Sequence, residues 1–245
     1  MAEGMTEMQV AFQEKFNSGT AWTRNDKFEK DGYLKVENLW DPEELYHPVP
    51  NLRGQLNYYD KNPDNFNHQD VENQVEGSVS RYWHPQYRNI HSGIRKKLED
   101  TLGRKLYNTY YYDRYYFPGQ ELKKHADRDA CEISVTVHVS TNLPDDLKDW
   151  PIKIKTPDKY TDKKKTSVLV PGEERSCVLN PGDGMIYKGC ERPHWRDAMP
   201  GIPVGKKSKK LFGKKQTEEY YYHQIFFHYV LQDGNRAHCA WDRSR

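Results

Sequence analysis

Three features that would assign the protein to a familiar class are missing from its sequence. No apolar run approaches the ~20 residues that a membrane-spanning helix requires, and residues 1–19 lack the apolar centre of a signal peptide. The chain has only four cysteines (Cys131, Cys177, Cys190 and Cys239), and none of them forms a Cys-x-x-Cys pair. We therefore expect a cytoplasmic protein with free thiols, without a membrane partner or a zinc site.

An excess of charge of one sign is missing too. Among 245 residues, 38 basic side chains are balanced by 36 acidic ones, so long-range attraction does not favour nucleic acid as a partner. Hydrophobic residues make up only 35% of the chain, whereas tyrosine occurs 18 times. Because a tyrosine buries its ring and keeps a polar hydroxyl, this composition indicates a modest core that uses many amphipathic aromatics.

Local patterns predict helices first and strands later. Asp41 followed by Pro42 is typical of a helix start, and apolar residues at every fourth position predict a helix from Tyr87 to Leu102 that Gly103 ends. Strands are predicted at residues 28–39, 106–116, 132–141, 176–180, 184–188 and 219–231, and residues 46–80 are polar and rich in turn formers. This order favours a mainly β (α+β) sandwich or barrel braced by N-terminal helices over a parallel α/β sheet.

The same patterns predict a single domain. Residues 1–26 are interpreted as a polar, partly disordered leader, residues 27–232 as the domain, and residues 233–245 as a C-terminal tail. The sequence gives no indication of the oligomeric state.

The run from Tyr115 to Asp127 (YYFPGQELKKHAD) holds the most informative motif. A tyrosine-rich strand meets a Pro-Gly turn, and a His-x-Asp pair follows. Side chains two residues apart in an extended segment lie on the same side, so His125 and Asp127 can reach one metal ion. A second histidine from another strand would complete the 2-His-1-carboxylate set of non-haem Fe(II) oxygenases.

A His-x-acid pair alone is weak evidence, because about one or two are expected by chance in a chain of this composition. His68 and Asp70 form such a pair in a polar, turn-rich stretch, which we interpret as a solvated loop. The pair at His125 differs because an alternating strand follows it. On that strand Ile133, Val135, Val137 and Val139 share one face, and Ser134, Thr136 and His138 share the other. A polar inner face suits a barrel that encloses a ligand.

Five later histidines are candidates for the third ligand: His138, His194, His223, His228 and His238. His194 is preferred, because it follows a tight turn at residues 180–184 and a short apolar strand. His223 and His228 lie on an apolar strand, where histidines are more often hydrogen-bonded core or cavity residues. His238 lies in the polar tail.

Together these motifs resemble those of the Fe(II)/2-oxoglutarate-dependent dioxygenases, nearest the prolyl-4-hydroxylase-like branch. The resemblance runs from Phe28 to Tyr229 and rests on PGQ-x4-HxD at 118–127, the strand at 132–139, NPGDGMIY at 180–187 and the turn at His194. It implies a double-stranded β-helix (jelly roll) in which His125, Asp127 and His194 bind the metal and are catalytic. Fe(II) and the cosubstrate 2-oxoglutarate are the implied cofactors, with ascorbate as a further candidate.

The resemblance also implies a reaction. We expect hydroxylation of a C–H bond with release of succinate and CO2, since related halogenases lack the carboxylate ligand that Asp127 provides here. The substrate would be a prolyl or other residue in a peptide, or a small molecule.

Enzymes of this kind need a cation for the distal carboxylate of 2-oxoglutarate, because a carboxylate away from water requires a charge-assisted partner. The usual strand position holds no Arg or Lys here, since the inward residues of that strand are Tyr222, Gln224 and Phe226. Arg196, two residues after His194, is the preferred replacement, and the alternative for Arg196 is a surface ion pair with Asp197. His138, Tyr110, Tyr112 and Tyr115 are further candidates for hydrogen bonds to the cosubstrate.

Two lysine-rich segments interrupt the strand pattern, residues 153–165 and 206–215, with six lysines each. We interpret them as solvated, mobile loops. The alternative is a lid or an edge of the active site that meets an acidic substrate.

Two other function classes stay open. A cupin-like protein that binds a metal or ligand without catalysis could use the same architecture, since one fold hosts many functions. A nucleic-acid binder that uses the lysine clusters and tyrosines would bind with a steep salt dependence.

Overall fold

A computed structural model describes residues 23–45, 74–75, 78–163, 166–201 and 220–242 of the chain. The helices in these ranges are α1 (Asp26–Asp31), α2 (Pro42–Leu45) and α3 (Tyr87–Leu102), with short 3-10 turns at Asp129–Cys131 and Ala237–Cys239. The strands are β1 (Tyr33–Val36), β2 (Val79–Tyr82), β3 (Leu106–Tyr116), β4 (Leu122–His125), β5 (Ile133–Thr141), β6 (Ile152–Lys155), β7 (Lys159–Lys163), β8 (Thr166–Val170), β9 (Glu174–Cys177), β10 (Gly184–Tyr187), β11 (His194–Arg196) and β12 (Tyr222–Leu231). The prediction of a mainly β chain is confirmed.

The strands form two large antiparallel sheets and one hairpin. The first sheet has the order β1-β10-β5-β12-β3-β2, the second has the order β4-β11-β6-β9, and β7 pairs with β8. Side chains from both large sheets pack in shared clusters: Leu122 of β4 lies in one cluster with Tyr222 of β12, and Ile154 of β6 lies in another with Met185 of β10. The two large sheets therefore enclose a common interior.

The six-stranded sheet has two faces that we name the outer and the inner face. The outer face packs against α3, where Ile94, Leu98 and Leu102 meet Val135 and Phe227 in a fully buried apolar cluster. The inner face points at the four-stranded sheet and carries the alternate residues of β3, β5 and β12. These include Tyr110, Tyr112, Ser134, Thr136, His138, Tyr222, Gln224, Phe226 and His228, all of them buried.

Helix α3 matches its prediction at both ends. Its apolar positions face the core, and Gly103 ends it in the left-handed conformation with φ of 63°. The residue after a helix often adopts this conformation, which only glycine reaches without strain. The start of α2 is confirmed as well, since Asp41 Oδ1 accepts a hydrogen bond from Glu43 N at 2.9 Å.

The predicted strand at residues 28–39 is wrong in its first part. Residues 26–31 form α1, because the side chain of Asn25 caps the helix by accepting a hydrogen bond from Phe28 N at 2.8 Å. Gly32 then ends the helix with φ of 75°, and only Tyr33–Val36 form strand. The cap outweighs the alternating pattern, since it satisfies a backbone donor that a helix start leaves without a partner.

Several strand ends were also misplaced or missed. The strand predicted at 176–180 is β9 at Glu174–Cys177, and the one predicted at 219–231 begins at Tyr222. Strand β2 lies at the end of the stretch that was interpreted as turn-rich.

The interpretation of residues 153–165 as a loop is wrong. Ile152–Lys155 is β6, an inner strand of the four-stranded sheet, and Lys159–Lys163 is one arm of the β7–β8 hairpin. Ile152 and Ile154 are fully buried, so their alternation with lysine reflects a strand with one solvent-facing side. The second lysine-rich segment (206–215), the pair at His68 and residues 1–22 of the leader lie outside the described residues.

The C-terminal segment contacts the first sheet. Trp241 N donates a hydrogen bond to Asn108 O at 2.8 Å, and Asp242 pairs with Arg128. Among the described residues, no helix is both long and apolar enough to cross a membrane.

Candidate metal centre

The pairing of β4 with β11 places two histidines side by side. His125 is the register partner of His194, and their ring centroids lie 4.4 Å apart. Asp127 follows two residues after His125, and its Oδ1 lies 3.4 Å from His125 Nε2 and 3.5 Å from His194 Nε2. The first and last of these three residues are 69 positions apart in the sequence, yet all three side chains converge on one point.

The same tautomer is favoured in both histidines. His125 Nδ1 lies 2.7 Å from Lys123 O, and His194 Nδ1 lies 3.0 Å from Arg192 O. A carbonyl oxygen only accepts, so each Nδ1 carries the proton and each Nε2 presents a lone pair toward Asp127. Backbone carbonyls orient metal-binding imidazoles in this way in many proteins.

The carboxylate of Asp127 is held from two sides. Its backbone N donates to Gly189 O at 2.9 Å, and Ser134 Oγ donates to Asp127 Oδ2 at 3.0 Å, which leaves Oδ1 facing the histidines. Residue 189 must be glycine, because a Cβ there would lie 2.6 Å from Asp127 Oδ2 and 2.3 Å from Cys131 O. The turn before His194 thus fixes the aspartate as well as the histidine.

The electrostatic interaction between Asp127 and the histidines shifts their pKa values. Burial alone would raise the pKa of Asp127, but the adjacent imidazoles of His194 and His125 lower it well below its usual range. Burial opposes protonation of His194, yet Asp127 raises the pKa of His194 above its ordinary value. A cation placed between these groups would be stabilised by the same carboxylate.

The donor set fits a small divalent transition metal. The candidate ligand atoms of His125, Asp127 and His194 all lie within 4.8 Å of one another. Two atoms bound to one metal at about 2.1 Å each cannot be farther apart than about 4.2 Å, and the two histidine-to-carboxylate distances of 3.4 and 3.5 Å satisfy this limit. Two imidazoles and one carboxylate match the facial triad of non-haem iron sites.

A cavity of about 350 Å³ opens beside the three side chains. It is lined by Gln74, Tyr82, Tyr110, Tyr112, His125, Ala126, Asp127, Arg128, Cys131 and His228. Gln74 Nε2 lies 2.7 Å from His125 Nε2, and Gln74 Oε1 accepts from Arg114 Nη2 at 3.1 Å. A metal ion on His125 would need the same nitrogen lone pair, so the Gln74 amide would have to move aside.

Deeper in the barrel, the inner face carries polar atoms without hydrogen-bond partners among the described residues. They are Thr136 Oγ1, His138 Nε2, Arg196 Nε and both amide atoms of Gln224. Gln224 is the register partner of His138, and Tyr222 stacks on the His138 ring at 4.1 Å. Buried polar groups nearly always find a partner, so water or a polar ligand has to reach these atoms.

Comparison with known proteins identifies the fold. Neither the family models nor the curated proteins give a match. Among solved structures, the chain is similar to SnoN, a non-haem α-ketoglutarate-dependent epimerase of nogalamycin biosynthesis, with a TM-score of 0.51 and 11% identity over 82% of this chain and 77% of SnoN. The chain has the fold of the 2-oxoglutarate-dependent non-haem iron enzymes. This confirms the expected jelly roll, and at such low identity the likeness concerns the fold alone.

Two further structures are similar at lower scores. A prolyl-4-hydroxylase of Pseudomonas putida gives a TM-score of 0.48 at 13% identity, over 83% of this chain and 95% of that one. A prolyl hydroxylase of Trichoplax adhaerens, in complex with a peptide fragment of hypoxia inducible factor, gives 0.47 at 11% identity, over 93% and 95%.

Arg196 lies inside the barrel of this jelly roll, and the alternative of a surface ion pair with Asp197 is wrong. Only 1% of Arg196 is exposed, and Asp197 pairs with Lys153 instead. The Arg196 guanidinium donates to Trp150 O at 2.5 Å and stacks on the rings of Trp150 and Tyr222 at 4.6 and 4.7 Å. The position two residues after His194 on β11 turns this cation inward.

The three tyrosines of β3 do not share one face. Tyr110 and Tyr112 lie on the inner face and line the cavity. Tyr115 is wrongly placed among the cosubstrate candidates, since it lies on the outer face and stacks on His223 at 3.9 Å. Residues of odd and even number point to opposite sides of a strand, so the alternation of β3 already separates Tyr115 from the other two.

The remaining histidines also separate. His223 lies on the outer face, where its Nε2 is 2.7 Å from Asp113 Oδ2, and His238 lies in the C-terminal 3-10 turn. His138 lies on the inner face and donates from Nδ1 to Leu179 O at 2.7 Å. Burial lowers the pKa of His138 to about 4, so its ring is neutral at pH 7.

Sequence reasoning missed several residues at or beside the site, among them Ser134, Gln74 and Arg114. Ser134 was assigned to the polar face, but its bond to Asp127 depends on a turn that sequence patterns do not reveal. Gln74 lies in a stretch without a strand or helix pattern. Arg114 is an inward residue of β3, fully buried, and the alternation of β3 would have identified it as inward.

Proposed function

We propose that the protein is an Fe(II)- and 2-oxoglutarate-dependent dioxygenase that hydroxylates a C–H bond and releases succinate and CO2. The observation that carries this proposal is the convergence of His125, Asp127 and His194 beside a cavity, in a jelly-roll barrel. Iron bound there would supply activation of O2, since three protein ligands leave three coordination positions for the cosubstrate and O2.

The chain's own residues would hold the metal in a defined state. Lys123 O and Arg192 O keep the two histidines in the tautomer with a lone pair on Nε2. Ser134 occupies Oδ2 of Asp127, so the carboxylate would bind the metal through Oδ1 alone. This arrangement fixes three ligands on one side and keeps the opposite side open to the cavity.

The partnerless polar atoms inside the barrel support 2-oxoglutarate as the ligand that fills it. Arg196 would bind the distal carboxylate, with Thr136 as a hydroxyl donor and Gln224 as an amide donor. His138 would donate to the carboxylate only when protonated, which an adjacent anion favours. These polar walls suit a charged dicarboxylate better than an apolar ligand.

The sequence resemblance favours a prolyl or other residue of a peptide as the substrate, with small molecules as the alternative. The cavity beside the metal ligands would receive it. Cytoplasmic localisation and ascorbate as a reductant belong to the same proposal.

The proposal is tested by anaerobic absorption spectroscopy. Adding Fe(II) and 2-oxoglutarate to the protein should produce the visible band of the iron chelate, and adding air should give succinate. Asp127→Ala should remove the band and lower succinate formation more than about 100-fold, because a metal ligand matters at least as much as the groups that orient it. Wild-type turnover by Asp127→Ala would exclude the ligand assignment.

Arg196→Gln tests the cosubstrate pocket separately. Because a charged hydrogen bond contributes about 1.5–3 kcal/mol, the concentration of 2-oxoglutarate for half saturation should rise about 10- to 100-fold. Arg175→Gln is the matched control, since Arg175 is an exposed arginine of the same sheet that pairs with Glu173. Equal effects of the two variants would contradict the role of Arg196.

A cupin-like binding protein is the second candidate, because the metal triad alone does not require turnover. It predicts iron binding without the chelate band and without succinate, so the same two measurements separate the two functions.

A further inference from the structure

His228 lines the cavity beside the metal ligands and has one buried ring nitrogen that the described residues leave without a partner. It lies on the inner face of β12, only 2% of the residue is exposed, and it lines the cavity together with His125 and Asp127. His228 Nδ1 lies 3.0 Å from Ser134 Oγ, whereas His228 Nε2 has no hydrogen-bond partner among the described residues.

The number of available protons determines which ring nitrogen of His228 can accept a hydrogen bond. Ser134 has one hydroxyl proton, and it donates to the carboxylate of Asp127 at 3.0 Å, the strongest acceptor within reach. The serine oxygen can then only accept from His228, so the proton of the neutral imidazole lies on Nδ1. Burial lowers the pKa of His228 to about 4, in agreement with a neutral ring. Nε2 therefore presents a lone pair.

The His228 ring packs among aromatic side chains. The ring of Tyr110 lies 4.5 Å from the His228 ring, and that of Tyr112 lies 5.9 Å away. Tyr82 stacks on Tyr112 at 4.6 Å with an angle of 16°, and the rings of Tyr110 and Tyr112 are inclined by only 9°. Tyr112 lies between the rings of Tyr82 and Phe226, and the Arg128 guanidinium lies over the Tyr110 ring at 4.6 Å. A planar ligand ring in the cavity would therefore meet mainly the edges of these rings, in the edge-to-face contact that aromatic pairs favour.

We propose that His228 positions the substrate by accepting a hydrogen bond from an O–H or N–H group, while a planar ring of the substrate lies against Tyr82, Tyr110 and Tyr112. The inference rests on the proposed function and narrows its substrate class to ring compounds or side chains that carry a donor next to the reacting carbon. A prolyl residue within a peptide has no N–H on its ring, so it fits this subsite less well than a phenolic or N–H heterocyclic ring.

The test compares ligands that differ only in the donor. Phenol and anisole form one pair, indole and 1-methylindole the other, and their dissociation constants for the full chain are measured by ligand-observed NMR. Phenol and indole should bind about tenfold more tightly than their methylated partners, because the methylated ligands leave His228 Nε2 buried without a partner. Equal affinities within both pairs, or no detectable binding of any probe, would overturn the proposal.

Two variants assign the preference to His228. His228→Phe keeps a ring of similar size but removes the acceptor, so the preference for phenol and indole should fall to about onefold. His238→Phe is the matched control, because it makes the same substitution at an exposed histidine of the C-terminal 3-10 turn, outside the cavity, and should keep the preference. A preference that persists in His228→Phe would contradict the proposal, and thermal melting of each variant shows that it is folded.

The outcome is separable from the proposed function, because probe binding requires no turnover. Loss of the chelate band with the donor preference intact would refute the dioxygenase and leave the His228 subsite standing. His228 also forms a second group with Asp127 and Cys131, whose candidate ligand atoms lie within 4.8 Å of one another and could hold an ion. A drop in bound metal per chain in His228→Phe would make His228 a ligand and overturn its role as a substrate acceptor.

Discussion

The two faces of the six-stranded sheet are built from the same strands, yet they are completed in different ways. On the outer face, Val135 and Ile225 pack against α3 with no exposed surface. On the inner face, their neighbours Thr136 and Gln224 are equally buried, but their polar atoms have no partner among the described residues. The hydrophobic packing of the outer face is completed by the chain itself, whereas the inner face leaves polar groups whose hydrogen bonds water or a ligand has to complete.

Even the charges of the outer face are paired. Asp113 accepts from Arg81 Nε at 2.9 Å and from His223 Nε2 at 2.7 Å, and all three residues are at most 2% exposed. Arg196 on the inner side is equally buried but contacts only neutral groups among the described residues. The comparison predicts that outer-face changes act on stability and inner-face changes on ligand binding.

The largest effect on stability is expected from Asp113→Asn. It leaves the buried Arg81 without its carboxylate, and breaking such a pair costs about 3–5 kcal/mol. Urea denaturation measures the free energy of unfolding. Asp145→Asn is the control, because Asp145 forms an exposed pair with Lys148, and such pairs contribute about 0–1 kcal/mol. Similar losses in the two variants would mean that the buried Asp113–Arg81 pair contributes no more to stability than an exposed pair.

Substitutions at two neighbouring residues of β5 should change the free energy of unfolding in opposite directions. Val135→Ala removes two buried methyl groups and leaves a small cavity, which should lower the free energy of unfolding by about 2 kcal/mol. Thr136→Val removes a buried hydroxyl without a partner while keeping the shape, so it should raise stability by about 1 kcal/mol.

The two substitutions should affect 2-oxoglutarate binding in the opposite order, with the larger loss at Thr136. Thr136→Val is expected to weaken 2-oxoglutarate binding, measured by titration of the chelate band, whereas Val135→Ala should leave the affinity near the wild-type value. Destabilisation by Thr136→Val with unchanged affinity would show that the Thr136 hydroxyl has a partner within the chain, and the contrast between the faces would fail at that residue.

The metal ligands could be predicted because their geometry is local. His125 and Asp127 are two residues apart on an extended segment, and the turn before His194 places that histidine directly after a strand. Arg196 was identified by the same spacing, because it lies two residues after His194 on an extended segment. The residues that hold these groups could not be found in this way, since Ser134 and Gln74 meet the site through contacts that depend on the folded barrel.

The errors have equally specific causes. Helix α1 replaced a predicted strand because the side chain of Asn25 satisfies the helix start. The lysines at 153 and 155 were interpreted as a loop because charge was weighed above the alternation with Ile152 and Ile154. Tyr115 was grouped with Tyr110 and Tyr112 although its parity places it on the other face. Alternation was the more reliable signal in both of the last two cases.

The smallest expected effect concerns pH, and it distinguishes the faces through two buried histidines. Burial lowers the pKa of His91 to about 3 on the outer face and that of His138 to about 4 on the inner face, whereas both titrate near 6.5 in the unfolded chain. Below pH 6.5 the unfolded state binds more protons, so stability is full above that pH and is lost as the pH falls toward 4. His91→Phe or His138→Phe should each reduce the loss between pH 7 and 5 by on the order of 1 kcal/mol in urea denaturation.

At pH 7 the two variants should differ, because the ring nitrogens of His91 contact both His228 O and Asn108 Nδ2, whereas His138 gives up only its bond to Leu179 O. His91→Phe should therefore be the less stable of the two, and the reverse order would show that the inner face is closed by the chain alone.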